Sequence, residues 1–167
     1  MKIFELEDFE TEEFNKFVQF SNDNWEDEWC IFVCSRGGST WIQAYISEIL
    51  NRKSLEPQGC YLNVAMAYSS AFILMMEFKG TINILQDARG MIHQASDTRQ
   101  VNTSGKDIAI AYTNYEDMLK KHTKIAFKEE IEFCKTFMTD KELQDYKNGK
   151  DIYYNEKDLK RILKNKF

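Results

Sequence analysis

The chain predicts an α/β fold with a mostly parallel sheet built from strand–helix–strand units, and three observations carry that reading. Short apolar runs at residues 29–34 and 61–67 alternate with stretches of helical period, and parallel strands need such crossovers. The runs are nearly continuous in apolar side chains, the pattern of strands covered on both faces. Each run gives way to small or turn-forming residues, Ser35-Arg36-Gly37-Gly38-Ser39 and Tyr68-Ser69-Ser70, just before the next helix. Ligand sites of parallel sheets lie at such carboxyl ends.

Taken in order, residues 2–6 read as a first strand and 11–21 as a helix that buries Phe14, Phe17 and Val18 behind an acidic first turn. Residues 22–28 form a polar, acidic loop before the strand at 29–34. Beyond the two glycines, Ile42, Tyr45, Ile46, Ile49 and Leu50 recur at helical spacing, and Pro57 with Gly59 marks the following turn. A second strand at 61–67 leads into a helix over 69–78 that is apolar almost all round, and such a helix belongs in a core. Lys79-Gly80 ends it. Residues 81–85 return as a strand, and 89–94 form another that delivers His93. A polar stretch at 97–106 reads as a loop. Ile108, Ala111, Tyr112, Tyr115 and Leu119 then lie on one stripe of a long helix. Thr139 with Glu142 has the form of a capping box, Gly149 ends that helix, 151–154 is strand-like, and Asn155 caps the terminal helix. No repeat and no linker interrupts the chain, so residues 1–167 read as one domain.

The 167 residues suffice for one core, and with 43% hydrophobic side chains the composition is that of a folded protein rather than a disordered one. A net charge of −5 argues against a nucleic-acid partner, since the one basic stretch, Lys160-Arg161 to Lys166, reads as the solvated face of a terminal helix. Cys30, Cys34, Cys60 and Cys134 sit in apolar segments without framework spacing and read as buried thiols of a reducing compartment. Cys30 and Cys34 share a strand face at too wide a spacing for an ordinary chelating turn, so no metal site is expected. With no signal-like opening and no run of membrane-span length, a cytoplasmic location is expected.

Three short blocks carry chemistry. Adjacent glycines let the backbone turn so that N–H groups point at a bound oxygen. A serine where an apolar run becomes a helix, followed by a histidine that ends a strand, supplies a nucleophile and a base. These are parts of a serine hydrolase. The competing roles are structural: a serine pair can cap a helix, and a lone strand histidine is often simply satisfied in place. His122, the other histidine, lies in a charged helical stretch and reads as solvated.

Gly37-Gly38, the small-residue run Ala65-Met66-Ala67-Tyr68-Ser69 and Met91-Ile92-His93-Gln94 resemble the three signature blocks of the Clp protease proteolytic subunit and its phage-type relatives. The resemblance runs from the first strand to the Asp151 region. It implies a Clp- and crotonase-like fold with a long protruding handle helix, here over the stripe from Ile108 to Leu119, and assembly into homo-oligomeric rings. It also implies a serine endopeptidase of peptides or unfolded proteins that needs no cofactor, in a bacterial or phage-infected cell.

Carried over by position, the resemblance implies Ser69 as nucleophile, His93 as base and Asp151 as orienting carboxylate, with amides of Gly37, Gly38 and Ser70 as the oxyanion hole. Ala65 stands where the family has glycine, Tyr68 where a small residue is usual, and Arg36 where proline precedes the glycines. The register leaves Ser70 as a second nucleophile candidate and an inactive site as a third reading. Asp140 and Asp145 are rival carboxylates, the first placed like a helix-start residue and the second like a surface one. Bacterial relatives form axial loops for an ATPase unfoldase from a segment ahead of the first strand. This sequence begins almost at that strand, so an energy-independent peptidase stands against an ATPase-fed one. A non-catalytic assembly subunit of the same fold and, less favoured, a crotonase-type acyl-CoA enzyme are the other functional readings.

Overall fold

The computed structural model describes residues 1–94, 125 and 127–164. The chain divides into two compact units, Met1–His93 with Asp151–Phe167, and Gln94–Lys150. The predicted handle stripe, the 97–106 loop, His122 and Lys166 lie outside the described residues.

The first unit is an α/β layer whose five-stranded sheet runs in the order β1-β2-β3-β4-β5. β1 (Lys2–Leu6), β2 (Trp29–Ser35), β3 (Cys60–Tyr68) and β4 (Thr81–Ile92) are parallel neighbours, and β5 (Ile152–Asn155) closes the row antiparallel to β4. The crossovers are α1 (Thr11–Asp23), α2 (Thr40–Lys53) and α3 (Ser70–Glu77), which is the connectivity that parallel pairing requires. The terminal helix α6 (Glu156–Lys164) follows β5. Asn155 caps it as expected: its Oδ1 accepts the Asp158 amide at 3.0 Å.

The core forms where alternate strand residues meet the helices. Leu6, Ile31, Val33, Leu62, Val64, Ala67 and Ile92 are buried together with Ile42, Ile46 and Leu50 of α2, Phe72 and Leu74 of α3, and Leu159 and Ile162 of α6. Phe72 stacks on Tyr154 of β5 at 5.3 Å between ring centroids, tying the α3 helix to the far strand. Lys53 is fully buried, with its ammonium donating to the Trp25 carbonyl at 2.6 Å and lying over the Trp25 and Trp29 rings. That cation keeps a partner as it leaves water, which burial of a charge demands.

Several expectations are corrected. β2 is not covered throughout: Phe32 is half-buried and Cys34 is exposed, so the four thiols are not all interior. On α2 the buried stripe uses Gln43 and Ser47, whereas Tyr45 is exposed and Ile49 only half-buried. Gln43 reaches Glu77 of α3 at 2.7 Å, so a polar link takes a place that hydrophobicity assigned elsewhere. Similarly, on α1 only Phe17 of the three expected apolar residues is fully buried. The strands expected at 81–85 and 89–94 are one strand, β4. Its register against β3 passes from Val64↔Ile84 to Met66↔Arg89, so residues 85–88 bulge without ending the pairing. Asp87 in this bulge has φ 59, and its amide is held by Glu156 Oε2 at 2.9 Å.

In the second unit a helical stretch over 127–134 (α4) precedes α5 (Asp140–Lys147). The capping box of Thr139 and Glu142 is present, and the helix stops before Gly149 at φ 80. The Tyr146 hydroxyl donates to Glu130 Oε1. Its backbone carbonyl accepts from Gln94 Nε2 at 2.6 Å. Burial, reinforced by the neighbouring Glu130 carboxylate, pushes the Cys134 thiol up to about 12.

Candidate active site

The turn from β3 into α3 occupies one residue, Ser69, and it is sharply bent. Ser69 has φ 54 and ψ −121, a conformation that glycine normally supplies and that a residue with a Cβ holds at a cost. Its own amide donates across the sheet to the Met91 carbonyl at 2.8 Å, while its carbonyl accepts from Phe72 and Ile73 to start the helix. A serine thrust out between a strand and a helix in a strained turn is the geometry of a nucleophile elbow.

The other two expected residues flank neighbouring strands. Tyr68 of β3 pairs with Met91 of β4, and Met91 pairs with Tyr153 of β5. The β4–β5 ladder ends at Ile92↔Ile152. His93 follows the last residue of β4 and Asp151 precedes the first residue of β5, at the same end of this ladder. Adjacent strands lie about 4.8 Å apart, so the serine turn, His93 and Asp151 occupy successive positions at one end of three neighbouring strands. His93 is half-buried and Asp151 exposed. Of the rival carboxylates, Asp140 is the first residue of α5, and Asp145 is paired with Lys150 at 2.7 Å, which lowers its pKa. Both belong to the second unit.

The glycine turn packs against the serine turn. A Cβ at Gly37, where φ is +98, would lie 2.7 Å from Ser69 Cβ, 2.7 Å from the Tyr68 carbonyl oxygen and 3.0 Å from the Ser70 nitrogen. Only a residue without a side chain lets the two turns touch. The Gly37 amide donates to Ser35 Oγ at 3.1 Å, and its carbonyl accepts from Phe9. The amide of Gly38 has no acceptor among the described residues, and neither does that of Ser70, which opens α3. Gly38 is exposed. Two unengaged donors on abutting turns, beside a serine, are what a developing oxyanion needs.

Ser70 itself is built into the support. Its side chain is buried, and its hydroxyl donates to the Gly38 carbonyl at 2.7 Å. That bond, with the one from the Gly37 amide to Ser35 Oγ, fixes the peptide units on either side of the glycine pair. The Ser70 bond joins residues far apart in the chain, which spacing does not reveal, whereas the Ser35 bond is a local serine turn onto the amide two residues on. Tyr68, the bulky departure beside the serine, makes an edge-on contact with Tyr153 at 6.3 Å. Its ring thus packs towards β5. Arg36 is exposed.

The Clp protease family model matches residues 6–148. The chain belongs to the Clp protease family. Gly37, Gly38, Ser69, Ser70 and His93 fall within the matched residues, and Asp151 lies just beyond their end. The α/β sheet with parallel crossovers is the architecture expected of a Clp-like peptidase. No curated protein matched the chain. Among the described residues, no helix is long and apolar enough to cross a membrane.

Proposed function

We propose that this chain is a Clp-like serine endopeptidase that cleaves peptides or unfolded proteins with Ser69, His93 and Asp151. The observation that carries the proposal is the backbone of Ser69, strained at φ 54 and ψ −121 between β3 and α3. A helix-capping serine gains nothing from that conformation, whereas a nucleophile gains exposure of its hydroxyl beside the glycine turn. In the reaction His93 takes the proton from Ser69 Oγ as that oxygen attacks the scissile carbonyl. The tetrahedral oxyanion is stabilised by the amides of Gly38 and Ser70, donors worth roughly 3 kcal/mol each in comparable sites. His93 then returns the proton to the leaving amine, and Asp151 holds the imidazole in the required tautomer. Water, deprotonated by His93, releases the acyl group. Gly37 acts through packing, as its amide is already engaged by Ser35.

A fluorophosphonate probe tests this reading directly. The adduct should map to Ser69, and His93→Ala should abolish labelling while the circular dichroism spectrum is kept. Absence of an adduct on folded, assembled protein favours the non-catalytic assembly subunit, the reading that Ala65 and Tyr68 support. An adduct on Ser70 would transfer the nucleophile.

We further read residues 1–167 as one Clp protease-like domain, because the family match runs through both units. The family match also supports a homo-oligomeric assembly with sites enclosed from folded proteins. A cytoplasmic location and an optional ATPase unfoldase complete the proposal.

A further inference from the structure

We propose that Arg36 selects substrates by a carboxylate, binding an aspartate or glutamate on the acyl side of the scissile bond next to the oxyanion hole. The proposal rests on the endopeptidase reading above and names the substrate class of that site.

Arg36 stands on a backbone held from both sides. Ser35 before it is the last residue of β2, buried and paired with Ala67 of β3. The Ser35 hydroxyl accepts the Gly37 amide at 3.1 Å, which closes a short turn around Arg36. Beyond it the Gly37 carbonyl accepts from Phe9, and the Gly38 carbonyl from the Ser70 hydroxyl. The side chain itself is exposed. A long cationic side chain on a fixed stem is suited to recognition, because the backbone need not be ordered when a ligand arrives.

Its neighbours place it at the site. Gly37, the next residue, abuts the serine turn so closely that an added Cβ would lie 2.7 Å from Ser69 Cβ. Two residues span at most about 7 Å, so the Arg36 backbone lies within that distance of Gly38, whose amide is one of the proposed oxyanion donors. Among the described residues Arg36 has no carboxylate at ion-pair distance. Of the acids around Phe9, which bridges to Gly38, Asp8 accepts the Glu10 amide at 3.0 Å, and Glu12 and Glu13 pair with Lys16 at 2.9 and 3.8 Å. The guanidinium thus keeps its planar fork for a carboxylate that a substrate brings.

The sheet order decides which half of the substrate meets it. β2 and β4 lie on opposite sides of β3, so the serine turn after β3 stands between Arg36, which follows β2, and His93, which follows β4. In the proposed reaction His93 gives its proton to the leaving amine, and the leaving half is therefore on the β4 side. The acyl half extends towards β2 and Arg36.

The test uses the full chain and fluorogenic peptides of one sequence, compared as ratios of kcat/KM. One set exchanges Asp for Asn and Glu for Gln on the acyl side. A second makes the same exchanges, and a free for an amidated C-terminus, on the leaving side. The wild type should favour the acyl-side acid about tenfold over its amide and show no such preference for either leaving-side carboxylate. Arg36→Gln should bring the ratio near one, Arg36→Glu should reverse it, and Arg36→Lys should keep part of it, since an ammonium retains the charge without the fork. Added salt should shrink the wild-type ratio. A residue that only supported the turn would change both members of a pair alike, and circular dichroism verifies folding. An adduct-bearing wild type that cleaves both members alike or neither, a ratio that survives Arg36→Gln, or a preference confined to the leaving side would overturn this proposal alone. A wild type that takes no fluorophosphonate adduct would defeat the endopeptidase reading, and this proposal with it.

Discussion

Ser69→Gly should make the protein more stable than Ser69→Ala while both variants lose all fluorophosphonate labelling. The magnitude follows from the turn. At φ 54 and ψ −121, a residue carrying a Cβ stores about 1–3 kcal/mol of backbone strain. Alanine retains the Cβ and therefore the strain, whereas glycine removes it. Against that gain stands the greater freedom of glycine in the unfolded chain, about 0.4–1 kcal/mol. The surplus is about 1 kcal/mol in favour of glycine, roughly a fivefold change in the folding constant. Urea unfolding at fixed protein concentration measures it, since self-association makes apparent stability concentration-dependent. The midpoint should move upward from Ser69→Ala to Ser69→Gly with an unchanged slope. Asp87→Gly is a useful comparison, because aspartate tolerates the left-handed region and φ 59 there costs little. Equal midpoints for the two Ser69 variants, or a lower one for glycine, would show that the turn stores no strain. Ser69 would then not be held out for catalysis at the expense of backbone strain.

Gly37→Ala should destabilise by about 2–5 kcal/mol, combining the cost of a positive φ with overpacking against the Ser69 turn, and should also suppress labelling. A variant that unfolds at the wild-type midpoint would show that the two turns do not meet. Ser70→Ala should lose about 1 kcal/mol with its bond to the Gly38 carbonyl, yet still carry the adduct on Ser69. Loss of the adduct from an otherwise folded Ser70→Ala would reverse these two assignments. Under native conditions a thiol reagent should modify Cys34 first, because Cys30, Cys60 and Cys134 are buried. Burial pushes Cys60 and Cys134 up to about 12. The unfolded chain releases those protons near pH 8.5 and the folded one does not, so stability should fall as pH rises from there towards 12. A flat alkaline limb in pH-dependent unfolding would contradict this burial.

The difference between what the chain discloses locally and what only the fold supplies is clearest at the serine pair. Hydrophobic period placed β1 over its observed residues and brought α3 into the core, because both depend on side chains within one element. The same period put Tyr45 and Ile49 inward and missed Gln43 and Ser47, whose burial is made acceptable by polar links between their side chains and to Glu77. The sequence places two strands at 81–85 and 89–94 with residues 86–88 between them. In the fold β3 keeps pairing on either side of the bulge, and Glu156 holds the Asp87 amide from a helix far along the chain. Cys34 looked interior within an apolar run, but the run does not record which face of β2 the helices cover.

At the site, residue type points to Ser69 or Ser70, His93 and an acid near 151, and the proposed preference for Ser69 rests on dihedral angles and partners. Both sit where a strand becomes a helix, and neither spacing nor propensity separates them. The separation is that one is strained and half-exposed, and the other is buried with its hydroxyl spent on Gly38. Asp151 likewise has no local mark that distinguishes it from Asp140 or Asp145. What favours it is the antiparallel ladder, which ends at Ile92↔Ile152, so that Asp151 precedes β5 at the end where His93 follows β4. A slip of one residue in that ladder would turn the acid to the opposite face of the sheet. The bulky Tyr68 fits the same logic: because it pairs with Met91 and its ring packs on Tyr153, the departure from a small residue adds an aromatic tie to β5, the strand that follows Asp151.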